Sequence, residues 1–181
     1  MADRSFARIN LDDLRRLGRI AAIDRDGLFR RNLDTARLFA PGPFAVALCQ
    51  GAALHFLDGN NGVKDFDVWS FYRANPVRPF PYRRRGTADF GTPKFGLSSD
   101  SQQFVGRRVD LLGRSLPASS YVDPVAVLRE YLREARTKTA RCLAQKAVVL
   151  IEPDELIGTV VWPEPRLTTR SSGQPKAGLA A

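Results

Sequence analysis

Three short acidic triplets occur in the chain, Asp24-Arg25-Asp26, Asp65-Phe66-Asp67 and Glu152-Pro153-Asp154, and the setting of the second suits it to chemistry. Val63, Phe66, Val68 and Trp69 around it are strand-forming residues, and strand alternation turns Asp65 and Asp67 to one face. Two carboxylates held side by side repel, and a divalent cation removes that cost. Oxygen donors without a His or Cys ligand favour Mg²⁺ or Mn²⁺ over zinc. A third carboxylate, Asp110, stands alone in the apolar run Val109-Asp110-Leu111-Leu112, where an unpaired buried charge is costly. If its strand lies beside the first, the three carboxylates are the ligand set for two metal ions about 3.5–4 Å apart in a phosphoryl-transfer site. Such a site also needs a phosphate cradle. Gln50-Gly51-Ala52 sits between an apolar run and a short helical one, where glycine lets a phosphate approach the free N–H groups of a helix start.

The elements that must position these residues follow from the pattern on either side of them. Residues 11–31 read as a helix capped by Asn10, with Asp13 three residues on and Leu14, Leu17 and Ile20 to Ile23 at helical spacing; Gly27 is expected to bend or split it. After Pro41-Gly42-Pro43 the run Phe44 to Leu48 suits a buried strand, Ala52 to Leu57 a short helix, and Asp58 to Gly62 a turn. Val63 to Phe71 is the strand of the acidic pair. Residues 72–103, broken by Pro76, Pro79, Pro81 and Pro93, read as a long loop, functional or disordered. Phe104 to Leu112 resumes a strand. Asp123-Pro124 opens a helix whose buried side is Val125, Leu128, Leu132, Ala135 and Leu143, and Ala147 to Ile151 is a final strand. Residues 1–163 thus read as a single domain with its core at 44–112 and a helical part at 123–146, followed by a disordered tail at 164–181.

A formal charge of +9 comes from 28 Lys and Arg against 19 Asp and Glu, and only five of the 28 are Lys. The excess of guanidinium groups attracts phosphate-rich partners or reflects codon preference alone. Arg83-Arg84-Arg85, interleaved with Phe80, Tyr82, Phe90 and Phe95, either grips a phosphodiester backbone and stacks on bases, holds a triphosphate, or is a solvated loop. Each acidic residue also has an ordinary reading. Asp65 and Asp67 could pair with nearby arginines, and Asp110 with Arg107 or Arg108. His55 reads as a helix residue facing its neighbours, and Cys49 and Cys142 as core. No signal-like leader or apolar run of membrane-spanning length occurs, so the expected location is the cytoplasm, without a membrane partner.

The order strand, Gly51-Ala52 and short helix, then the Asp65-Phe66-Asp67 strand, then a later strand with Asp110 resembles the nucleotidyltransferase superfamily of DNA polymerase β. The resemblance covers residues 44–112. It implies an α/β (α+β) nucleotidyltransferase fold, a small mixed sheet with helices packed mainly on one side. It further implies transfer of a nucleoside monophosphate from a nucleoside triphosphate, ATP among them, to a hydroxyl of RNA, a small molecule or a protein. In that reading Asp65, Asp67 and Asp110 are catalytic and hold Mg²⁺ or Mn²⁺, and Gly51 and Ala52 bind the nucleotide. Arg83, Arg84 and Arg85 contact phosphate or nucleic acid. Ala52 departs from the family's serine, which leaves only its backbone N–H as a donor. The alternative is a non-catalytic basic protein that keeps the fold and binds nucleic acid or a partner.

Overall fold

The Asn10 side chain accepts from the N–H groups of Asp12 and Asp13, and the Asp13 carboxylate accepts in return from the N–H of Asn10. This complete capping box starts α1 (Leu11–Arg31), which buries Leu14, Leu17, Gly18 and Ala21. Gly27 neither splits nor ends it, because the apolar stripe and the last-turn Arg30 and Arg31 carry the helix past it. The structure is a computed structural model that describes residues 7–60, 62–80, 85–92, 94–95, 106–119 and 123–164. Asn32 then accepts from the N–H of Thr35 and starts α2 (Leu33–Phe39), an element that the sequence pattern did not separate.

Six strands form one mixed sheet: β1 (Ala45–Cys49), β2 (Phe66–Arg73), β3 (Arg85–Asp89), β4 (Arg108–Leu116), β5 (Ala147–Glu152) and β6 (Val160–Trp162). Their spatial order is β3-β4-β2-β1-β5-β6. Among the described residues every strand pairing is antiparallel except β2 with β4, which run parallel. β1 is buried along its whole length and sits between β2 and β5. Between β1 and β2 lies α3 (Gln50–Asp58), and between β4 and β5 lie α4 (Pro124–Glu134) and α5 (Lys138–Leu143).

Strand alternation divides the core between two faces. Val46, Leu48, Phe66, Val68, Val109, Leu111, Val149 and Ile151 pack with Leu14 and Leu17 of α1 and with Ala52 and Ala53 of α3. The opposite face, with Ala47, Cys49, Trp69, Phe71 and Leu150, packs with Leu128 and Leu132 of α4 and Leu143 of α5. Helices therefore cover both faces rather than mainly one, because β5 is apolar on both sides and needs both covered.

Several expected boundaries move: the strand expected over 63–71 is β2, Phe66–Arg73, which leaves Asp65 just before it, and the strand expected over 104–112 is β4, Arg108–Leu116. The helix expected from Asp123 breaks at Ala135, whose φ of 49° is left-handed; α5 restarts where Thr137 Oγ1 accepts from the N–H of Ala140. Part of the expected loop 72–103 is strand β3, held to β4 by backbone pairing from Arg85↔Leu112 to Asp89↔Arg108. The last strand, β6, pairs with β5 and receives hydrogen bonds from the Arg129 guanidinium to the carbonyls of Val160 and Val161. The expected tail lies outside the described residues apart from Glu164, which pairs with Arg133 at 2.7 Å.

Candidate functional site

The β1–α3 junction turns within one residue. Gln50 has φ 64°, a strained value for a residue with a Cβ, and its side-chain Nε2 donates to the carbonyl of Cys142 on α5 at 2.7 Å. The junction is thereby tied to the helix facing it. Gly51 follows in the first turn of α3. That turn has no side-chain cap bond from Cys49 and no acidic residue of its own. A Cβ built on Gly51 would meet only Lys146 Nζ, 3.9 Å away, so the fold does not demand glycine here.

Asp65 and Asp67 both line a cavity of about 710 Å³ in front of this junction. Its other lining residues include Gln50, Gly51 and Ala52 at the start of α3, Lys64 and Lys146 as cations, and Thr139, Cys142 and Leu143 from α5. Lys64 and Lys146 are exposed, and both acidic residues are half-buried. The site therefore joins two carboxylates, two ammonium groups and an open helix start. As a donor set, two half-buried carboxylates fit a hard divalent cation, and the cations and N–H groups fit phosphate oxygens.

Asp110 is positioned by register. β2 and β4 run parallel with Asp67 opposite Asp110, and alternation places Asp110 on the same face as Leu112, the face of Asp67 and Trp69. Its carboxylate is buried, 1% exposed, and accepts from Arg108 Nε at 2.7 Å. Arg108 lies two residues back on the same strand, hence on the same face. Of the three expected carboxylates, Asp65 and Asp67 line the cavity while Asp110 lies beside Asp67 under its arginine. Among the described residues no group of three His, Cys, Asp or Glu side chains is arranged around one metal position.

Phe80, Phe90 and Phe95 of the basic loop are not a stacking surface. Phe80, Phe90 and Phe95 are 3%, 2% and 0% exposed, and Phe90 and Phe95 pack on Phe66 in the core. Phe80 packs with Phe39 and Tyr72, and Lys94 lies over Phe95, with Nζ 2.7 Å from Asp13 of α1 and 5.0 Å from the Phe95 ring. Tyr82, Arg83 and Arg84 lie outside the described residues. The backbone of Arg85 pairs with Leu112, a residue of the cavity wall.

His55 is fully buried and its Nε2 donates to the carbonyl of Ala7 at 2.9 Å, as its helix setting suggests. Cys49 is core, and burial first, then the nearby Asp67 and Cys142, raises its thiol well above the usual range. Cys142 departs from expectation, being exposed on the cavity wall because it falls on the outer side of α5. Lys64, Lys146 and Thr139 were not picked out as site residues. Each is an isolated residue in sequence, and only the fold of α5 and β5 against α3 brings Thr139 and Lys146 to Gly51. No family model, curated protein or solved structure matches this chain.

Proposed function

We propose that the chain is a metal-dependent nucleotidyltransferase that moves a nucleoside monophosphate from a nucleoside triphosphate to an acceptor hydroxyl, with RNA the acceptor that its +9 charge favours. The observation that carries this reading is the pairing of parallel β2 and β4 with Asp67 opposite Asp110, beside a cavity headed by Gly51. In this reading Asp65 and Asp67 hold Mg²⁺ or Mn²⁺, which when bound neutralises charge on the triphosphate and its leaving group. The N–H groups of Gly51 and Ala52 bind terminal phosphate oxygens, and Lys64 and Lys146 add charge at the cavity wall. The acceptor oxygen bonds to the α-phosphorus, its proton passes to Asp110, and pyrophosphate leaves.

A second reading, a basic protein that binds nucleic acid without catalysis, is favoured by the same Arg108–Asp110 pair and by the missing hydroxyl at Ala52. Thermal unfolding with each of the four nucleoside triphosphates, with and without Mg²⁺ or Mn²⁺, separates the two. The catalytic reading expects a metal-dependent rise that disappears in Asp65→Asn with Asp67→Asn. No rise with any triphosphate, and a rise with RNA that vanishes in salt, leaves the binding protein.

A further inference from the structure

The cavity has two chemically different ends. At one, Gly51, Lys64, Asp65, Asp67 and Lys146 gather the charge. At the other, Trp69 stands two residues beyond Asp67 on the same face of β2, about 7 Å farther along at roughly 3.4 Å per residue. Its register partner on β4 is Leu112, which lines the cavity too, and Leu143 of α5, another lining residue, belongs to the same apolar cluster. The Trp69 ring is held on one side by Phe71, with centroids 6.2 Å apart and planes 21° apart, so it is a fixed wall rather than a mobile side chain. Only 6% of its surface remains accessible.

A ligand that fills both ends needs a polyanionic part, a polar link about one pentose long, and a flat, largely apolar part. We propose that the Trp69–Leu112–Leu143 end is a nucleobase subsite, with α5 as its outer wall. The inference rests on the nucleotide reading of the charged end and deepens it by placing the nucleoside along β2. Apolar contact with a ring does not need the carboxylates, so a nucleoside without phosphate or metal also binds here, more weakly than the triphosphate.

Trp69 and Trp162 are the two tryptophans of the chain, which makes emission a local probe. Adenosine, guanosine, cytidine and uridine are titrated in turn without metal, and Mg²⁺ with inorganic tripolyphosphate serves as a probe of the charged end alone. The expected result is a saturable change in emission with nucleoside that persists in Trp162→Phe and is lost in Trp69→Phe. The change also persists in Asp65→Asn with Asp67→Asn. No response to any nucleoside, while Mg²⁺ with a triphosphate still raises the unfolding temperature, overturns the subsite and leaves the nucleotidyltransferase reading standing. A nucleoside response in a chain that ignores Mg²⁺ with triphosphate supports the subsite and removes that reading. Silence in both titrations removes both.

Discussion

Replacing Gly51 by alanine separates what the fold needs from what a phosphate needs. The added Cβ would meet only the flexible end of Lys146, at an ordinary 3.9 Å, and no positive φ requires glycine. Removing backbone freedom from the unfolded chain at a compatible site stabilises by about 0.4–1 kcal/mol. For a chain of this size that is a rise of roughly 1–4 °C in unfolding temperature. The methyl group, however, occupies the space through which a phosphate oxygen would reach the backbone N–H groups. With a triphosphate held at about a hundred times its Kd, mass action adds about 2.7 kcal/mol; a tenfold loss of affinity cuts this to roughly 1.4 kcal/mol. Differential scanning calorimetry with Mg²⁺ and triphosphate therefore reads two opposite effects in Gly51→Ala, a higher baseline and about half the ligand-induced rise. A full ligand response would refute the cradle, and a lower baseline would refute the claim that the fold is indifferent to this glycine.

Lys146→Ala removes an exposed cation from the cavity wall, so urea unfolding should shift by less than about 0.5 kcal/mol while the triphosphate-induced rise falls; an unchanged rise would remove Lys146 from the site. Gly113→Ala places a Cβ 2.8 Å from Phe80 Cδ1 and closer still to Cε1. The Phe80 ring cannot retreat, being stacked at 3.9 Å on Tyr72 and edge-on to Phe39, so the variant should lose about 1–3 kcal/mol or more in urea unfolding, and Phe80→Leu should recover part of it. Burial raises the Glu152 carboxyl above its usual 4.5, against the pull of Arg25. The folded chain thus holds that proton more firmly than the unfolded one, and stability declines as pH rises from 4.5 through the folded value. Urea midpoints across this window should show the decline in the natural chain and a flatter profile in Glu152→Gln; parallel profiles would assign the slope to other groups.

What could be read from sequence was local. The Asn10 cap, the Asp123-Pro124 start and the strand around Asp65-Phe66-Asp67 are each signalled within a few residues, and each element forms there. β3 was hidden because Arg85-Gly86-Thr87-Ala88-Asp89 carries little strand propensity, and its pairing partner, β4, stabilises it from outside the segment. The break at Ala135 was equally silent, since alanine gives no hint of a left-handed conformation; capping by Thr137 and the hydrogen bonds from Arg141 to the carbonyls of Ala135 and Arg136 hold it. Phe80, Phe90 and Phe95 read as loop aromatics only while the packing of α1 against the sheet was unseen. At the site, Gly51, Asp65 and Asp67 announce themselves by spacing. Thr139, Cys142 and Lys146 do not, because nothing between residues 67 and 139 encodes that α5 folds back over the β1–α3 junction.

The central position of β1 carries a consequence for how the chain is made. Ala45–Cys49 is buried along its full length, yet β5, the neighbour on one of its sides, is about a hundred residues downstream. As the chain leaves the ribosome, β1, β2 and the Gly51 turn emerge long before Ala147–Glu152 can cover that edge. An apolar, unpaired strand edge is an invitation to wrong pairing. Synthesis arrested or cut before residue 147 should therefore yield an aggregating product rather than a smaller working one. The cavity is also unfinished until then, since Thr139, Cys142, Leu143 and Lys146 supply its outer wall. Ligand binding and protection of the β1 edge thus come within the same few residues of translation.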